Sequence, residues 1–149
     1  MLSTGRREAA GIASRDEMKT VMVTAALIIE QGKILVTQRK KDSSHGLLWE
    51  FPGGKVKEGE EPREALRREL KEELDIDVEV GKIFEAVYHL YPNYPILLLV
   101  YHCSINKGVL KPLGCYDLRW VNLKELKKLA MPPADAPLRK HLYSTNLVL

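Results

Sequence analysis

Residues 54–76 carry the sequence GKVKEGEEPREALRRELKEELDI, which predicts a glycine-led loop followed by an amphipathic helix. Pro62 suits the first helical position, where its missing N–H would have no intrahelical partner anyway. Leu66, Leu70 and Leu74 recur at the spacing of an apolar helical stripe. The stretch therefore predicts a helix that packs one face against a hydrophobic core.

Three carboxylates fall in adjoining rows at the edge of this stripe: Glu69, Glu72 and Glu73. Like charges repel, so such a cluster indicates a hard divalent cation that neutralises it. The glycine loop before the helix could hold a phosphate chain against its backbone N–H groups. The alternative is an ordinary solvated helix face, on which Arg68 and Glu72 form a routine pair.

The complete spacing resembles the Nudix box. Its elements are Gly54, then Glu60 after five residues, Arg68-Glu69-Leu70 after seven, Glu72-Glu73 after one, and the aliphatic Ile76 after Leu74 and Asp75. One element departs, since the family usually has glycine where this chain has Asp75. That position ends the helix and typically needs a positive φ, which Asp tolerates less well than Gly. We expect a small stability cost there and no loss of chemistry. Glu61 is a poorer N-cap than Ser or Thr.

The resemblance extends through most of residues 20–142. Three further motifs are similar to the MutT branch of the family, which includes oxidised-dGTP pyrophosphohydrolases and a bacterial CTP pyrophosphohydrolase: Gln38-Arg39, Leu48–Lys55 and Pro132–Asp135. The resemblance implies an α/β fold, with a mixed β-sheet sandwiched between α-helices. It also implies Mg²⁺-dependent hydrolysis, with Mn²⁺ as a substitute, of a nucleoside or deoxynucleoside triphosphate to the monophosphate and pyrophosphate. A role in DNA repair through sanitation of the nucleotide pool would follow.

Residue roles follow from the same resemblance. The metal ligands would be the Gly53 carbonyl and the three box glutamates, Glu69, Glu72 and Glu73. Arg68 would orient a box carboxylate. Arg39 and Lys55 are candidates for phosphate contact, with a plain surface cation as the alternative for each. The general base would be a box glutamate or Asp117, which could equally be an Asp that closes a turn before a strand.

Base choice is predicted to depend on Asp135. A carboxylate accepts hydrogen bonds from the exocyclic amine of cytosine or from the N1–H and N2–H₂ groups of guanine. The alternative is that Asp135 caps the last helix. Trp49, Tyr88 and Leu97 could line a base pocket or simply belong to the core.

Outside the box, apolar runs separated by turn residues predict further strands and helices. The strands are expected at Val21–Glu30, Lys33–Gln38, Trp49–Phe51, Val78–Val80, Ile83–His89, Ile96–Cys103 and Tyr116–Val121. Asn122 is expected to cap a short helix that ends near Ala130, and a final helix is expected from about Asp135 to Tyr143.

The composition limits the number of domains, the partners and the location that can be expected. With 149 residues, one domain over residues 20–149 is expected, preceded by a flexible N-terminal extension over residues 1–19. A net charge of +3 is too small to indicate nucleic-acid binding, and no apolar run is long enough to span a bilayer. Two cysteines without metal-ligand spacing suggest reduced thiols and a cytoplasmic location. The expected partner is a small-molecule nucleotide, bound by a monomer or homodimer.

Three other functions are weighed. Pro92 and Tyr94 fall near positions that mark ADP-ribose and diadenosine polyphosphate hydrolases, although such a proline also occurs in MutT-type chains. An isomerase of the isopentenyl diphosphate type would need a cysteine near its metal site, and neither Cys103 nor Cys115 lies near the box. A non-catalytic Nudix binding domain often loses box glutamates, and here all are present.

Overall fold

The computed structural model describes residues 18–145; residues 1–17 of the predicted extension lie outside the described residues. The strands are β1 (Val21–Glu30), β2 (Lys33–Gln38), β3 (Trp49–Glu50), β4 (Gly53–Lys55), β5 (Asp77–Leu90), β6 (Pro95–Lys107) and β7 (Asp117–Val121). The helices are α1 (Pro62–Leu74), α2 (Leu123–Lys128) and α3 (Ala136–Thr145), with a 3₁₀ turn at Pro133–Asp135. No helix within residues 18–145 is long and apolar enough to cross a membrane.

Strand β1 organises the sheet. It runs parallel to β6 and antiparallel to β2 and β4. The sheet order is β3-β2-β1-β6-β5, with β7 paired to β2. Because β1 is covered on both faces, the five consecutive residues from Thr24 to Ile28 are all buried. This explains why the strand is a nearly continuous apolar run and does not alternate between apolar and polar residues.

Hydrophobic clusters lie on both faces of the sheet. Ala26, Ile28 and Leu35 pack with the apolar stripe of α1 on one face. Leu27 and Val36 pack with Leu126, Leu138 and Leu142 of α2 and α3 on the other. The expected mixed sheet between helices is therefore confirmed.

One local prediction needs correction. Val78–Val80 and Ile83–His89 form one strand, β5, because the pairing with β6 continues through register shifts around Ile83. Glu61 does act as the N-cap of α1, since its carboxylate accepts the N–H groups of Arg63 and Glu64. Asp75 does end α1 in the left-handed conformation, with φ 59°.

Candidate active site

Arg68 organises the carboxylates along one edge of α1. Its Nε and Nη2 donate to the two oxygens of Glu60, at 2.8 and 2.9 Å. Its Nη1 donates to Glu69 and Glu72, at 3.0 and 3.2 Å, and Nη2 also donates to the Lys55 carbonyl. The planar guanidinium fork can serve all these acceptors at once, which an ammonium group could not do. The predicted orienting contact of Arg68 is thus present in the structure.

The glycine loop packs closely against this edge. A Cβ on Gly54 would lie 2.3 Å from the carboxyl carbon of Glu69, and one on Gly53 would lie 2.0 Å from the Thr24 carbonyl oxygen. Both distances are far below van der Waals contact, so neither glycine tolerates a side chain without rearrangement. These two residues allow β4 to lie against β1 while the Glu69 carboxylate lies over the loop.

The box carboxylates are crowded and partly desolvated. Burial raises the pKa of Glu73 to about 8; the charges of Glu69 and Glu50 add to this, and Arg39 and the Gly53 backbone oppose it. Burial also raises the pKa of Glu69, against the effect of Arg68. A divalent cation would relieve this repulsion.

The donor chemistry fits a hard cation. Glu69, Glu72, Glu73 and the Gly53 carbonyl supply only oxygen donors, the type that Mg²⁺ prefers. Within residues 18–145, no three acidic, imidazole or thiol side chains already have metal-liganding geometry. Glu69 and Glu72 are instead hydrogen-bonded to Arg68.

Asp117 lies at the start of β7, where it pairs with Gln38 of β2. Its carboxylate accepts the following N–H, of Leu118, at 2.8 Å. Burial is the main cause that raises the pKa of the Cys115 thiol, to about 11, and the charges of Glu73 and then Asp117 add to it. Cys115 and Glu73 border a common cavity, so this cysteine does lie near the box in space, contrary to the expectation from the sequence. Asp117 itself is exposed and hydrogen-bonded locally.

A cavity of about 200 Å³ adjoins the glycine loop. Gly53, Gly54 and Lys55 border it, as do Arg39, Glu50 and Asp135. Its other lining residues are mainly apolar or aromatic: Val23, Thr24, Ala25, Ser44, His45, Phe51, Tyr91, Tyr94, Ile96, Leu98, Pro132 and Ala134. Lys55 is exposed at this border.

The residues first considered for a base pocket do not line this cavity. Trp49 is buried in the core, and Tyr88 is 63% exposed. Leu97 pairs with Tyr88, whereas its neighbour Leu98 lines the cavity. Successive strand residues face opposite sides, so Leu98 and not Leu97 borders the cavity. For Trp49, the alternative of a core residue is the one confirmed.

Asp135 is only 6% exposed and borders the cavity. Within residues 18–145, no hydrogen bond to its carboxylate is present, so it does not cap α3 through its side chain. Burial raises its pKa well above the usual range, and the charge of Glu50 adds to this. The neighbouring Ala134 N–H donates to the Tyr91 hydroxyl at 3.3 Å. Asp135 is therefore a buried, cavity-bordering carboxylate and not a side-chain cap of α3.

Sequence reasoning gave no role to Glu50. Its two carboxylate oxygens accept hydrogen bonds from Arg39 Nη1, at 3.0 and 3.2 Å. Burial raises the pKa of Glu50 even though Arg39 opposes the shift. The available signal was its position next to the buried Trp49 in a strand, which places Glu50 on the opposite face.

The loop before β7 caps the C-terminal end of α1. The N–H groups of Leu113 and Gly114 both donate to the Glu73 carbonyl, at 2.9 and 3.0 Å, and the Lys111 N–H donates to Leu74. A Cβ on Gly114 would lie 3.1 Å from Glu73 Cα, so the loop backbone approaches the helix closely. These bonds satisfy carbonyl groups that a helix end leaves unpaired.

Comparison with known proteins agrees with this geometry. A family model described as NUDIX domain matches residues 24–141. A CTP pyrophosphohydrolase of Escherichia coli is 39% identical over 121 residues, covering 81% of this chain and 90% of the relative. An 8-oxo-dGTP diphosphatase of Haemophilus influenzae is 34% identical, covering 82% and 90%.

A solved structure gives the same result. The solution structure of the DNA mismatch repair protein MutT of methicillin-resistant Staphylococcus aureus superposes with a TM-score of 0.70 and 35% identity, covering 86% of this chain and 98% of that one. The box motif, the sheet with helices on both faces and these relatives agree: the chain belongs to the Nudix hydrolase family.

Proposed function

We propose that this protein hydrolyses a nucleoside triphosphate, ribo or deoxy, to the monophosphate and pyrophosphate. The observation that carries the proposal is that one glycine loop borders both the α1 carboxylates and the cavity that contains Asp135. A nucleotide whose base contacts Asp135 would place its phosphates beside Glu69 and Glu73. Water would attack a phosphorus atom, and the P–O bond that joins the nucleoside monophosphate to the pyrophosphate would break.

The residues of the site would have separate roles in this reaction. Mg²⁺, or Mn²⁺ in its place, would be held by Glu69, Glu72, Glu73 and the Gly53 carbonyl, and would supply charge neutralisation and activation of water. Arg68 keeps Glu69 and Glu72 oriented for this purpose. Arg39 and Lys55, both at the cavity border, would contact the phosphates.

Two groups remain as candidates for the general base: a box glutamate and Asp117. The variant Asp117→Asn separates them. A loss of kcat of about 100-fold would assign the role to Asp117, on the scale of general-base catalysis. A loss of less than about threefold would assign the role to a box glutamate. The full kcat–pH profile should be recorded for both enzymes.

Cytosine nucleotides are the first substrates to test, and oxidised dGTP is the second. Asp135 can accept a hydrogen bond from the exocyclic amine of either base. The 39% and 34% identities to a CTP pyrophosphohydrolase and an 8-oxo-dGTP diphosphatase support both choices. A cytoplasmic location and sanitation of the nucleotide pool belong to the same proposal.

The test is a panel of phosphate-release rates with Mg²⁺. Canonical and oxidised NTPs and dNTPs are compared with ADP-ribose and diadenosine polyphosphates, with pyrophosphatase added to convert released pyrophosphate. Hydrolysis of ADP-ribose or a diadenosine polyphosphate with triphosphates left intact would contradict the proposal. Binding without hydrolysis of any compound would indicate a non-catalytic domain.

A further inference from the structure

A second cavity, of about 130 Å³, lies beside the first. It is bordered by Glu73, Gly114 and Cys115 at the carboxylate end of α1. Among the described residues, Arg39 and Glu50 alone line both cavities. This ion pair therefore forms a partition between the space that contains Asp135 and the space that contains Glu73.

Arg39 has its hydrogen-bonding groups engaged on the protein itself. Nε donates to the Ser44 carbonyl at 2.6 Å, and Nη2 donates to the Ser44 hydroxyl at 3.3 Å. Nη1 donates to both oxygens of Glu50. These four hydrogen bonds engage all three guanidinium nitrogens and, among the described residues, leave one N–H of Nη2 without a protein partner. A phosphate that binds Nη1, the nitrogen on the partition, must replace Glu50, which is the partner with the same charge as a phosphate.

The two partners of Arg39 differ in how they are held. Ser44 belongs to a loop that the Arg39 backbone closes, since the Arg39 N–H donates to Leu48 and the Leu47 N–H donates to Arg39. Glu50 accepts only from Arg39 within residues 18–145, and 24% of its side chain is exposed. Solvent in the cavities can therefore hydrate Glu50 after Nη1 leaves it, while the bonds to Ser44 stay in place.

We propose that Glu50 competes with the substrate's polyphosphate for Arg39, so that the ion pair is a partition which the substrate itself opens. In the free protein, Arg39 is held by Glu50. When a triphosphate enters, Nη1 exchanges the carboxylate for a phosphate oxygen, and the two cavities become continuous. The inference rests on the proposed function, because it assigns the polyphosphate to this border.

An internal competitor lowers the apparent affinity for its rival, because only the fraction of molecules with a free Arg39 can bind. Removing the carboxylate of Glu50 should therefore strengthen polyphosphate binding. If Glu50 instead held Arg39 in position for phosphate, removing its carboxylate would weaken polyphosphate binding. If Glu50 simply repelled phosphate, its removal would strengthen binding whether or not Arg39 is present.

The test is a double-mutant cycle read by calorimetry, with inorganic tripolyphosphate as the probe in metal-free buffer. The four proteins are the wild type, Glu50→Gln, Arg39→Met and the double variant. We expect Glu50→Gln to lower the Kd of tripolyphosphate about fivefold when Arg39 is present, as for loss of one charge-assisted pair. The same substitution should change Kd less than about twofold when Arg39 is absent. Circular dichroism melting checks each fold, and Arg39→Gln replaces Arg39→Met if the latter does not fold.

Each other outcome overturns the exchange. If Glu50→Gln strengthens tripolyphosphate binding equally with and without Arg39, Glu50 repels phosphate in general. If Glu50→Gln weakens binding, Glu50 instead holds Arg39 in position for phosphate. An unchanged Kd in Arg39→Met means that Arg39 is not a phosphate ligand. The wild-type preparation is also assayed with Mg²⁺ against the same panel of canonical and oxidised NTPs and dNTPs. Failure to hydrolyse any of these triphosphates contradicts the proposed function, whereas hydrolysis together with one of these binding results overturns the exchange alone.

Discussion

Arg68 and Arg39 both organise carboxylates in this protein, but their surroundings differ. Arg68 bonds to Glu60, Glu69 and Glu72, which lie on α1 and the loop before it. Arg39 bonds to one carboxylate, that of Glu50, and otherwise to Ser44. An arginine shared among three carboxylates keeps its position when one of them turns to another ligand. An arginine with one carboxylate is available for exchange with an incoming anion.

The titration of the partner carboxylates reflects this difference. Hydrogen bonds from Arg68 lower the pKa of Glu60 to about 2. Burial raises the pKa of Glu50 in spite of its pairing with Arg39. Glu60, paired with Arg68, is thus held in its ionised form, whereas burial disfavours ionisation of Glu50 even beside Arg39.

The largest expected effect lies in the Arg68 region. Glu72→Gln or Glu73→Gln should lower kcat at least ~100-fold, because each removes charge that neutralises the cation, on the scale of losing an electrostatic stabiliser of the transition state. Pyrophosphate release at saturating Mg²⁺ measures it. Glu64→Gln is the matched control on the same helix, where Glu64 pairs with Arg67, and should leave turnover unchanged. Near-wild-type turnover of both test variants would contradict the metal-site assignment.

The second prediction concerns base choice in the cavity next to Arg39. Asp135→Ala should shift the kcat/KM ratio of CTP to UTP by roughly 1–3 kcal/mol toward UTP, because the exocyclic amine of cytosine loses its acceptor. Asp135→Asn should be milder, since its amide oxygen still accepts one bond.

Asn122→Ala provides the control for the Asp135 variants. Asn122 is a true N-cap, which accepts the Glu125 N–H at 2.8 Å. Its loss should lower Tm while the substrate ratio stays the same. The same pattern in Asp135→Ala would show that Asp135 is structural.

The third prediction compares the two arginines directly. Arg68→Lys should lower kcat about tenfold at saturating substrate, because lysine cannot orient Glu69 and Glu72 together and small displacements of catalytic groups are costly. Arg39→Lys should change KM for every triphosphate with little change in kcat or in base preference. Steady-state kinetics over CTP, UTP and oxidised dGTP separate the two patterns. If Arg39→Lys altered base preference alone, Arg39 would belong to the base pocket.

The fourth prediction is the pH dependence of stability without metal. The folded pKa of Glu73, about 8, lies above its ordinary value of 4.5. Its contribution to stability is therefore complete below pH 4.5 and declines as pH rises toward 8. The Tm of metal-free protein should fall over this range more steeply than the Tm of Glu73→Gln. Mg²⁺ should raise the wild-type Tm more at pH 8 than at pH 6; equal slopes for both proteins would contradict the assignment.

The smallest effect is expected at the end of α1. Asp75→Gly removes the cost of a left-handed Asp but also its ion pairs with Lys71 and Lys111, both at 3.4 Å. These changes oppose each other, and all three side chains are well exposed, so Tm should barely change. The kcat should stay within about twofold, because no catalytic group moves. A large loss of activity would mean that this helix end positions Glu73.

Local patterns were enough for most of the fold. The periodicity of α1, the apolar run of β1 and the cap at Asn122 each determine structure within a few residues, and each was predicted correctly. Strand β5 was divided in two because Gly81 resembles a turn residue, whereas pairing with β6 carries the strand past it.

The site was predictable where its residues share one helix. The contacts of Arg68 follow from helical spacing and the preceding loop. The bond between Arg39 and Glu50 depends on the pairing of β2 with β3, in which Gln38 lies opposite Trp49. No spacing rule along the chain reveals such a contact. The roles of the predicted metal ligands Gly53, Glu69, Glu72 and Glu73, and those of Arg39, Lys55, Arg68, Asp117 and Asp135, depend on bound metal or substrate and stay predictions.

The cap formed by Leu113 and Gly114 on the Glu73 carbonyl has a practical consequence for protein engineering. Surface loops between strands are usually chosen for peptide insertion, fluorescent labelling or circular permutation. In this protein, a cut or insertion near Gly114 would release the last turn of the helix that carries the box glutamates. The Gln31–Gly32 turn between β1 and β2, which is exposed and distant in sequence from the box, is the better position for such a modification.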